Sequence, residues 1–418
     1  MEKIRVGVFG IGRGVCLAQN FMLLDCEIVA VCDNRKDRLE KGLKELGLTD
    51  VAVYDNFDAF IEHPMDVVIL ANSFHLHAPY AIKCFEKNIH VYCECTANGT
   101  MKEGVELVRA FEKSKSIYML AENYPEMLFN REMKRIADSG KLGKILFAEG
   151  EYNHPMDWWS TNFTKSCKFY PKHWRHFLPP TYYVTHSLGP IMNATGATPK
   201  KVTAFAMYEP IPEGVPNASY RGDKAANITT FNDDGSVFRF VGCSTFGAHH
   251  NSYRLCGTKG QIENLRGMGE QVMLRYNEWE KPAGEEARQL YTPSWNDADE
   301  DIIKRSGHGG GDYLTARKFV RCLKEGKQPP HPFDIYSATA MASVGILGFR
   351  SVMEGGRVYD IPDFRNEEDR KQYENDDLTP FWGENDEPPT IPCCSHPDFK
   401  PTEKQLELIE ESFRFTQL

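Results

Sequence analysis

The sequence has no run of about 18 apolar residues, the length at which a membrane-spanning helix is expected. It also has no basic excess, because 49 Lys and Arg stand against 59 Asp and Glu, a formal net charge of -10 at pH 7. Nucleic-acid binding depends on clustered cations, so we expect neither nucleic acid nor a membrane as a partner. The 418 residues, 41% hydrophobic and 26% charged, are typical of a soluble globular protein with two or three domains.

The 12 cysteines form no recognisable metal motif. Cys93 and Cys95 make a C-x-C pair without a second pair at zinc spacing, and Cys393 and Cys394 are adjacent. We therefore expect reduced thiols and no bound metal. The N-terminus leads directly into a predicted strand without a signal peptide, which favours a cytoplasmic protein.

The first thirty residues carry the strongest motif. Residues 4–9 are apolar and β-branched, as expected for a strand buried on both faces. Gly10, Gly12 and Gly14 then allow a sharp turn and close approach of a pyrophosphate, bound at the N-terminus of a helix starting near Val15. Gly14 stands one place before the third glycine of G-x-G-x-x-G. A dinucleotide site is predicted; the alternative is a tight turn in a nucleotide-free fold.

The residues after the second predicted strand bear on the choice of dinucleotide. Asp33 ends that strand, where a carboxylate can accept hydrogen bonds from an adenosine ribose and would repel a 2′-phosphate. Arg35, Lys36 and Arg38 could pair with such a phosphate or could simply begin a solvated helix. We favour NAD over NADP.

The order of predicted elements indicates an α/β fold in three parts. Strands alternate with helices over residues 1–122, which predicts a parallel Rossmann domain. Residues 123–365 are predicted to form an α+β domain with a large open, mostly antiparallel sheet, and the polar-aromatic insert at 153–180 suggests a lid or binding wall. Residues 366–418 form an acidic, proline-rich extension, ending in a possible helix at 403–413, whose role is left open.

Ligands of parallel α/β sheets bind at the carboxyl ends of the strands, so side chains there share one rim. The candidate cofactor-binding residues on this rim are Gly10, Gly12, Arg13, Gly14, Asp33, Asn72, His77 and Glu94.

Histidine and tyrosine cluster in the second domain. They suit acid–base work on hydroxyl groups near neutral pH, and aromatic walls suit the C–H faces of sugar rings. A single Tyr or His in a strand is more often structural; His186 stands out because a helix N-terminus at this point could lie over the cleft. The catalytic candidates are His186, Tyr183, Tyr152, His154 and Glu122. The substrate-binding candidates are His173, Trp174, Arg175, His308 and Tyr313.

These motifs resemble the glucose–fructose oxidoreductase/inositol dehydrogenase (Gfo/Idh/MocA) family over about residues 3–363. The residues that carry the resemblance are 10–14, 30–33, His77 and 257–263. It implies a Rossmann domain, a second domain with an open sheet, NAD(P), sugar or polyol substrates, and a homodimer or homotetramer. The family's Glu-Lys-Pro, whose lysine commonly acts as acid–base, is replaced here by Glu94-Cys95-Thr96. A free thiol titrates near about 8.5, so Cys95 is not assumed to take over that role.

The sequence is similar to one branch that also lacks this lysine, the NAD-dependent glycosidases that resemble glycoside hydrolase family 109. The matching motifs are 122–123, Tyr152-x-His154, 173–175, 183–190 and 307–313. The resemblance implies oxidation at sugar C3, removal of the C2 proton, departure of the glycosidic oxygen, addition of water and return of the hydride. It assigns the hydroxyl and elimination steps to His186 and Tyr183, assisted by Tyr152, His154 and Glu122.

Three functions follow from the sequence. The first is a redox-neutral, NAD-dependent glycosidase. The second is a net NAD(P)-dependent sugar or polyol oxidoreductase, and the third is a non-catalytic nucleotide-binding regulator. The insert and the extension differ from the branch, and its amino-sugar preference is not carried over. The sugar, its anomer and the oligomeric state stay open.

Overall fold

The first domain is a parallel sheet flanked by helices. The computed structural model describes residues 3–155, 172–215 and 219–408. The strands of the first sheet are β1 (Ile4–Phe9), β2 (Cys26–Cys32), β3 (Ala52–Tyr54), β4 (Val67–Leu70), β5 (His90–Cys93) and β6 (Tyr118–Leu120). The helices between them are α1 (Ile11–Met22), α2 (Lys36–Leu46), α3 (Phe57–Phe60), α4 (His77–Glu86) and α5 (Met101–Glu112). The strand order β3-β2-β1-β4-β5-β6 confirms the doubly wound Rossmann fold, and it reverses between β1 and β4, where a ligand crevice is expected.

The glycine turn differs from its prediction in one respect. Helix α1 begins at Ile11, so the expectation of a start near Val15 was wrong. Gly10 caps the helix with a φ of 89°, and a Cβ on it would lie 2.3 Å from the carbonyl oxygen of Ala71. This position therefore requires glycine, both for its left-handed backbone and for the close approach of the chain after β4.

The second domain contains the large open sheet that the sequence predicted. Its strands are β7 (Ile145–Asn153), β8 (Pro199–Tyr208), β9 (Asp223–Asn232), β10 (Val237–Ser244), β11 (His250–Gly257), β12 (Gly260–Asn264), β13 (Val272–Tyr276), β14 (Arg288–Tyr291) and β15 (Tyr359–Asp360). The order is β14-β13-β12-β11-β7-β10-β9-β8-β15. Strand β10 pairs parallel with β7, and the other pairs are antiparallel. Part of the insert, residues 156–171, lies outside the described residues.

Helices cover this sheet and connect it to the first domain. They are α6 (Leu128–Asp138), α7 (Thr185–Thr195), α8 (Glu300–Arg305), α9 (Gly311–Glu325), α10 (Ile335–Met353) and α11 (Glu367–Lys371). Among the described residues, α10 is long and apolar enough to cross a membrane by composition, with a mean hydropathy of 1.2. The absence of a long apolar run in the sequence therefore does not mean that no helix passes this test of length and composition. Its apolar window is 83% buried inside the protein, as in a core helix.

Helix α9 completes the core of the Rossmann domain, although it lies far downstream in the chain. The Phe319 ring is fully buried and packs 5.3 Å from the ring of Tyr92 and 6.2 Å from that of Phe21. The Leu120 N–H of β6 donates to the Phe333 carbonyl at 2.9 Å. The two domains thus share a packed boundary beside the cleft.

The C-terminal extension packs on its own chain. The Lys102 N–H at the start of α5 donates to the Asp376 carbonyl at 2.8 Å, and Asp376 also pairs with Arg350 of α10. The fully buried Phe381 ring stacks on His75, with a centroid distance of 4.6 Å. Residues 403–408 are helical, in agreement with the predicted start of the last helix.

Candidate active site

The glycine turn borders a cavity of about 590 Å³ at the carboxyl ends of the strands. Gly12 faces it, since an added Cβ would meet no atom closer than the Arg38 guanidinium at 4.0 Å. Within the described part of the chain, the buried Oδ1 of Asn72, which also lines the cavity, has no hydrogen-bond partner. The N–H groups of the first turn of α1 that lack an intrahelical partner, together with the amide oxygen of Asn72, fit a dinucleotide with a pyrophosphate.

The predicted ribose ligand, Asp33, lines the same cavity and is 5% exposed. Its carboxylate accepts the N–H of Ile11 at 2.9 Å and that of Arg35 at 3.0 Å, which holds it at the edge of the glycine turn. The Arg35 guanidinium instead pairs with Asp37, whereas Arg38 lines the cavity. Of the three cations considered for a 2′-phosphate, Arg38 is the one that borders the cavity.

Arg13 links the glycine turn to the second domain. Its guanidinium donates to Asp312 at 2.6 Å and to Glu94 at 3.1 Å, and Asp312 also contacts Nδ1 of His308 at 3.0 Å. Burial raises the pKa of Asp312, but the bonds from His308 and Arg13 outweigh it and hold that pKa well below its usual range. Arg13, predicted to bind cofactor, is thus held by two carboxylates in this structure, although it borders the cavity.

Glu122, His186 and Tyr183 form a continuous hydrogen-bonded chain. Glu122 follows β6, Tyr183 lies two residues before α7, and His186 is the second residue of α7. The His186 Nδ1 lies 2.9 Å from both carboxylate oxygens of Glu122, and its Nε2 lies 2.9 Å from the Tyr183 hydroxyl. Gly189 makes this possible, since a Cβ there would lie 2.9 Å from Cγ of Glu122. The structure therefore brings three of the five predicted catalytic residues into direct contact.

The protonation of this chain follows from its electrostatics. Burial alone would raise the pKa of Glu122, but the His186 imidazole and the Tyr124 N–H, which donates at 3.0 Å, lower it below its usual value. An ionised carboxylate only accepts, so Nδ1 of His186 donates to Glu122, and the Nε2 of a neutral imidazole would accept from the Tyr183 hydroxyl. Burial raises the pKa of Tyr183 well above its usual value, which keeps the hydroxyl protonated.

Aromatic rings surround His186. Tyr124 stacks on it with a centroid distance of 3.9 Å, and Tyr152 meets it edge-on at 5.0 Å. His154 stacks on Tyr152 at 5.7 Å, and its Nδ1 lies 3.2 Å from Nδ1 of His249. Sequence reasoning missed Tyr124, whose signal was its place two residues after Glu122, and His249, which has no sequence signal.

Cys95 lies at the position of the family's lysine and touches the same carboxylate. Its thiol donates to Glu122 Oε2 at 3.3 Å and is 4% exposed. Burial, followed by the charges of Glu122 and Glu94, raises the pKa of this thiol well above its usual value. Cys95 is therefore a neutral donor at physiological pH, not a base.

Three residues predicted to bind substrate, His173, Trp174 and Arg175, line the dinucleotide cavity in this structure. Trp174 stacks on Phe74 at 5.1 Å, next to the end of β4. Tyr313 is not brought to the site; it is 2% exposed and its hydroxyl donates to Asp299 at 2.8 Å. The structure thus gives Tyr313 a packing position that its motif did not indicate.

The remaining histidine of the rim, His77, is 1% exposed at the start of α4. Its Nδ1 lies 2.7 Å from the Thr96 carbonyl, while its buried Nε2 has no partner among the described residues. Its burial lowers its pKa, so the ring is neutral.

A Rossmann cleft next to a hydrogen-bonded carboxylate, imidazole and tyrosine hydroxyl is typical of a dinucleotide-dependent enzyme of the oxidoreductase type. The family model "oxidoreductase family, NAD-binding Rossmann fold" (Gfo/Idh/MocA) matches residues 4–122, and the model "glycosyl hydrolase 109, C-terminal domain" matches residues 222–370. The first domain is therefore similar to the Gfo/Idh/MocA oxidoreductases, and the second is similar to the C-terminal domain of the glycosyl hydrolase family 109 proteins.

Individual proteins and solved structures show the same two similarities. The chain is 24% identical over 393 residues to a glycosyl hydrolase family 109 protein of Shewanella pealeana, covering 87% of this chain and 86% of that one. It is 26% identical over 407 residues to one of Streptomyces filamentosus, covering 88% and 79%. In fold it is similar to a levoglucosan dehydrogenase in complex with NADH and L-sorbose (TM-score 0.69, 18% identity, covering 87% and 100%). It is also similar to an aldose-aldose oxidoreductase from Caulobacter crescentus complexed with glycerol (TM-score 0.64, 16% identity, covering 86% and 99%).

Proposed function

We propose that this enzyme is an NAD-dependent glycosidase whose catalytic cycle leaves no net change in the redox state of the cofactor. The observation that carries the proposal is the hydrogen-bonded Glu122–His186–Tyr183 chain, whose carboxylate also contacts Cys95 at the position of the missing lysine. We assign the acid–base role of that lysine to this chain. The named activity of the family 109 relatives supports a glycoside as substrate. The sugar complexes of the similar solved structures are consistent with a carbohydrate.

The residues of the cleft fit NAD. Gly12 and the start of α1 would hold the pyrophosphate, Asn72 would accept a hydrogen bond, and Asp33 would bind the adenosine ribose and disfavour NADP. When bound, the nicotinamide accepts a hydride from a sugar carbon and later returns it.

The Tyr183 hydroxyl is the group that takes the proton from the sugar hydroxyl at the carbon that is oxidised. Because it donates to Nε2 of His186, its oxygen is free to accept a proton from the substrate while its own proton moves to the imidazole. The imidazolium that forms is stabilised by Glu122, 2.9 Å away and ionised. When the carbonyl is reduced, the proton moves along the same residues in the opposite direction and returns to the sugar oxygen.

The elimination step needs one group that accepts the C2 proton and another that protonates the departing glycosidic oxygen. We assign these two roles to His154 and Tyr152. Burial and the neighbouring cations lower the pKa of His154, so its imidazole is neutral and accepts the C2 proton. Burial raises the pKa of Tyr152 to about 12, so its hydroxyl stays protonated and serves as the donor to the departing glycosidic oxygen. The two rings stack at 5.7 Å, close enough to act on one sugar ring.

A screen of chromogenic glycosides in deuterated water tests the proposal. The expected result is release of the aglycone with no accumulation of NADH, and deuterium at C2 of the free sugar, because the C2 proton exchanges with solvent. Stoichiometric NADH with an oxidised sugar and no deuterium at C2 would contradict the glycosidase and favour a net dehydrogenase. Full activity in a folded His186→Ala variant would contradict the assigned chain.

We also propose that the enzyme works in the cytoplasm as a homodimer or homotetramer. Light scattering coupled to size-exclusion chromatography measures the oligomeric state directly. A monomer at micromolar concentration would contradict the proposed homodimer or homotetramer.

A further inference from the structure

The C-terminal extension reaches the dinucleotide cavity through one acidic side chain. Glu384 lines the cavity together with Gly10, Gly12 and Asp33. Its Oε1 accepts the hydroxyl of Tyr80, a residue of α4. A carboxylate has room for about four hydrogen bonds, so Glu384 keeps acceptors for a ligand.

Glu384 lies at the end of the cavity where the adenosine belongs. The Tyr80 ring that it touches packs against Phe9, the residue before Gly10, and against Phe57, with centroid distances of 4.6 Å in both cases. Phe57 follows β3, the strand beside β2, at whose end Asp33 lies. In a Rossmann fold the acid at the end of β2 marks the adenosine ribose.

The segment that carries Glu384 is anchored on both sides. Nε2 of His75 lies 3.0 Å from the Trp382 carbonyl, and Phe381 is fully buried against the same histidine. On the other side Lys172 lies over the Trp382 ring at 4.3 Å and pairs with Asp386 at 3.0 Å. Glu384 is thus held at the cavity by contacts to the Rossmann domain and to the insert.

The charges that line the cavity differ in how far they are already paired. On the cationic side, Arg13 is held by Asp312 and Glu94, Lys41 pairs with Glu45 at 3.7 Å, and Arg175 lies over the Trp174 ring. Arg38 remains. On the anionic side, Glu45 is paired with Lys41, which leaves Asp33, Asp55 and Glu384 among the described lining residues. A phosphate on the ribose would therefore meet more carboxylate than guanidinium.

We propose that Glu384 is a specificity-determining residue of the dinucleotide site: its carboxylate accepts hydrogen bonds from the adenosine ribose and disfavours a 2′-phosphate. The extension thereby completes the cofactor site and selects the unphosphorylated dinucleotide. This inference rests on the dinucleotide binding in the proposed function but does not depend on the sugar or on the net reaction.

Fluorescence titration of the full-length protein with NADH and with NADPH tests the inference. Glu384→Gln keeps the shape and removes the charge, and should raise the affinity for NADPH relative to NADH by about fivefold. Asp377→Asn is the matched control, since it removes an exposed charge of the same extension outside the cavity, and should leave the ratio unchanged.

Tyr80→Phe separates the charge from the packing. It leaves the carboxylate in place, so it should keep the wild-type ratio of the two affinities. An unchanged ratio in Glu384→Gln, or an equal fall in both affinities, would overturn the inference while leaving the proposed function intact. A wild-type protein that binds neither nucleotide would overturn both. Thermal unfolding of the nucleotide-free variants checks that each remains folded.

Discussion

The carboxylate of Glu122 lies 2.9 Å from Nδ1 of His186, although 64 residues separate them in the chain. One residue follows the last strand of the Rossmann sheet and the other begins the helix that covers the second sheet. The acid–base chain therefore spans the boundary between the domains, next to the cleft that holds the dinucleotide. Its geometry depends on how the two domains pack.

Glu122→Gln should lower kcat by about 10²- to 10⁴-fold, because an uncharged amide no longer stabilises the imidazolium of His186. Nucleotide affinity should change little, since Glu122 is not among the residues that line the dinucleotide cavity. A double variant with His186→Ala should be no slower than His186→Ala alone, because the two side chains act as one unit. Effects that multiply in the double variant would contradict a shared role. Steady-state kinetics on the glycoside found by the screen measure both.

Tyr183→Phe should reduce kcat by about 10²-fold or more with a small change in KM, because it removes the hydroxyl that contacts Nε2 of His186. Tyr182→Phe is the matched control. The neighbouring Tyr182 is 3% exposed, and its hydroxyl has no hydrogen-bond partner in the described part of the chain. If both variants lose activity to the same extent, the loss reflects packing and the role of Tyr183 in proton transfer is wrong.

Cys95→Ser should retain activity within about tenfold of the wild type, because the serine hydroxyl can still donate to Glu122 and the thiol is not ionised at neutral pH. The exposed Cys16 provides a control substitution, Cys16→Ser. A loss as large as that of Tyr183→Phe, or a pH profile of kcat that shifts with the substitution, would mean that Cys95 does take the place of the lysine.

Asp312→Asn should lower the free energy of unfolding by about 3 kcal/mol, because it leaves the half-buried Arg13 guanidinium with one carboxylate fewer. The pKa of Asp312 lies below its value in the unfolded chain, so its contribution is present above about pH 4 and is lost as the pH falls further. The difference between wild type and variant in urea denaturation should therefore shrink in acid. Asp301→Asn, an exposed residue of α8, should cost less than about 0.5 kcal/mol. Equal effects of the two substitutions, or a difference that grows in acid, would contradict the ion pair.

The sequence by itself determined the elements and their local chemistry. Runs such as residues 67–71 and 91–93 are continuous apolar stretches bounded by polar residues, which specify buried parallel strands without knowledge of the rest of the chain. The glycines of residues 10–14 specify a turn because only glycine tolerates the backbone of Gly10. The rim at the carboxyl ends of the strands follows from the alternation of strands and helices alone.

Only the tertiary structure decided which of these side chains meet. Asp312 contacts Arg13 from 299 residues away, and Phe319 enters the core of the first domain from the second. His173, Trp174 and Arg175 border the dinucleotide cavity and Tyr313 turns away from the site, because packing of the insert and of α9 sets their directions. Glu384 reaches the cavity through an extension whose acidic, proline-rich sequence has no regular hydrophobic periodicity. Periodicity reports local backbone geometry, whereas contacts between distant segments depend on the summed packing of both domains.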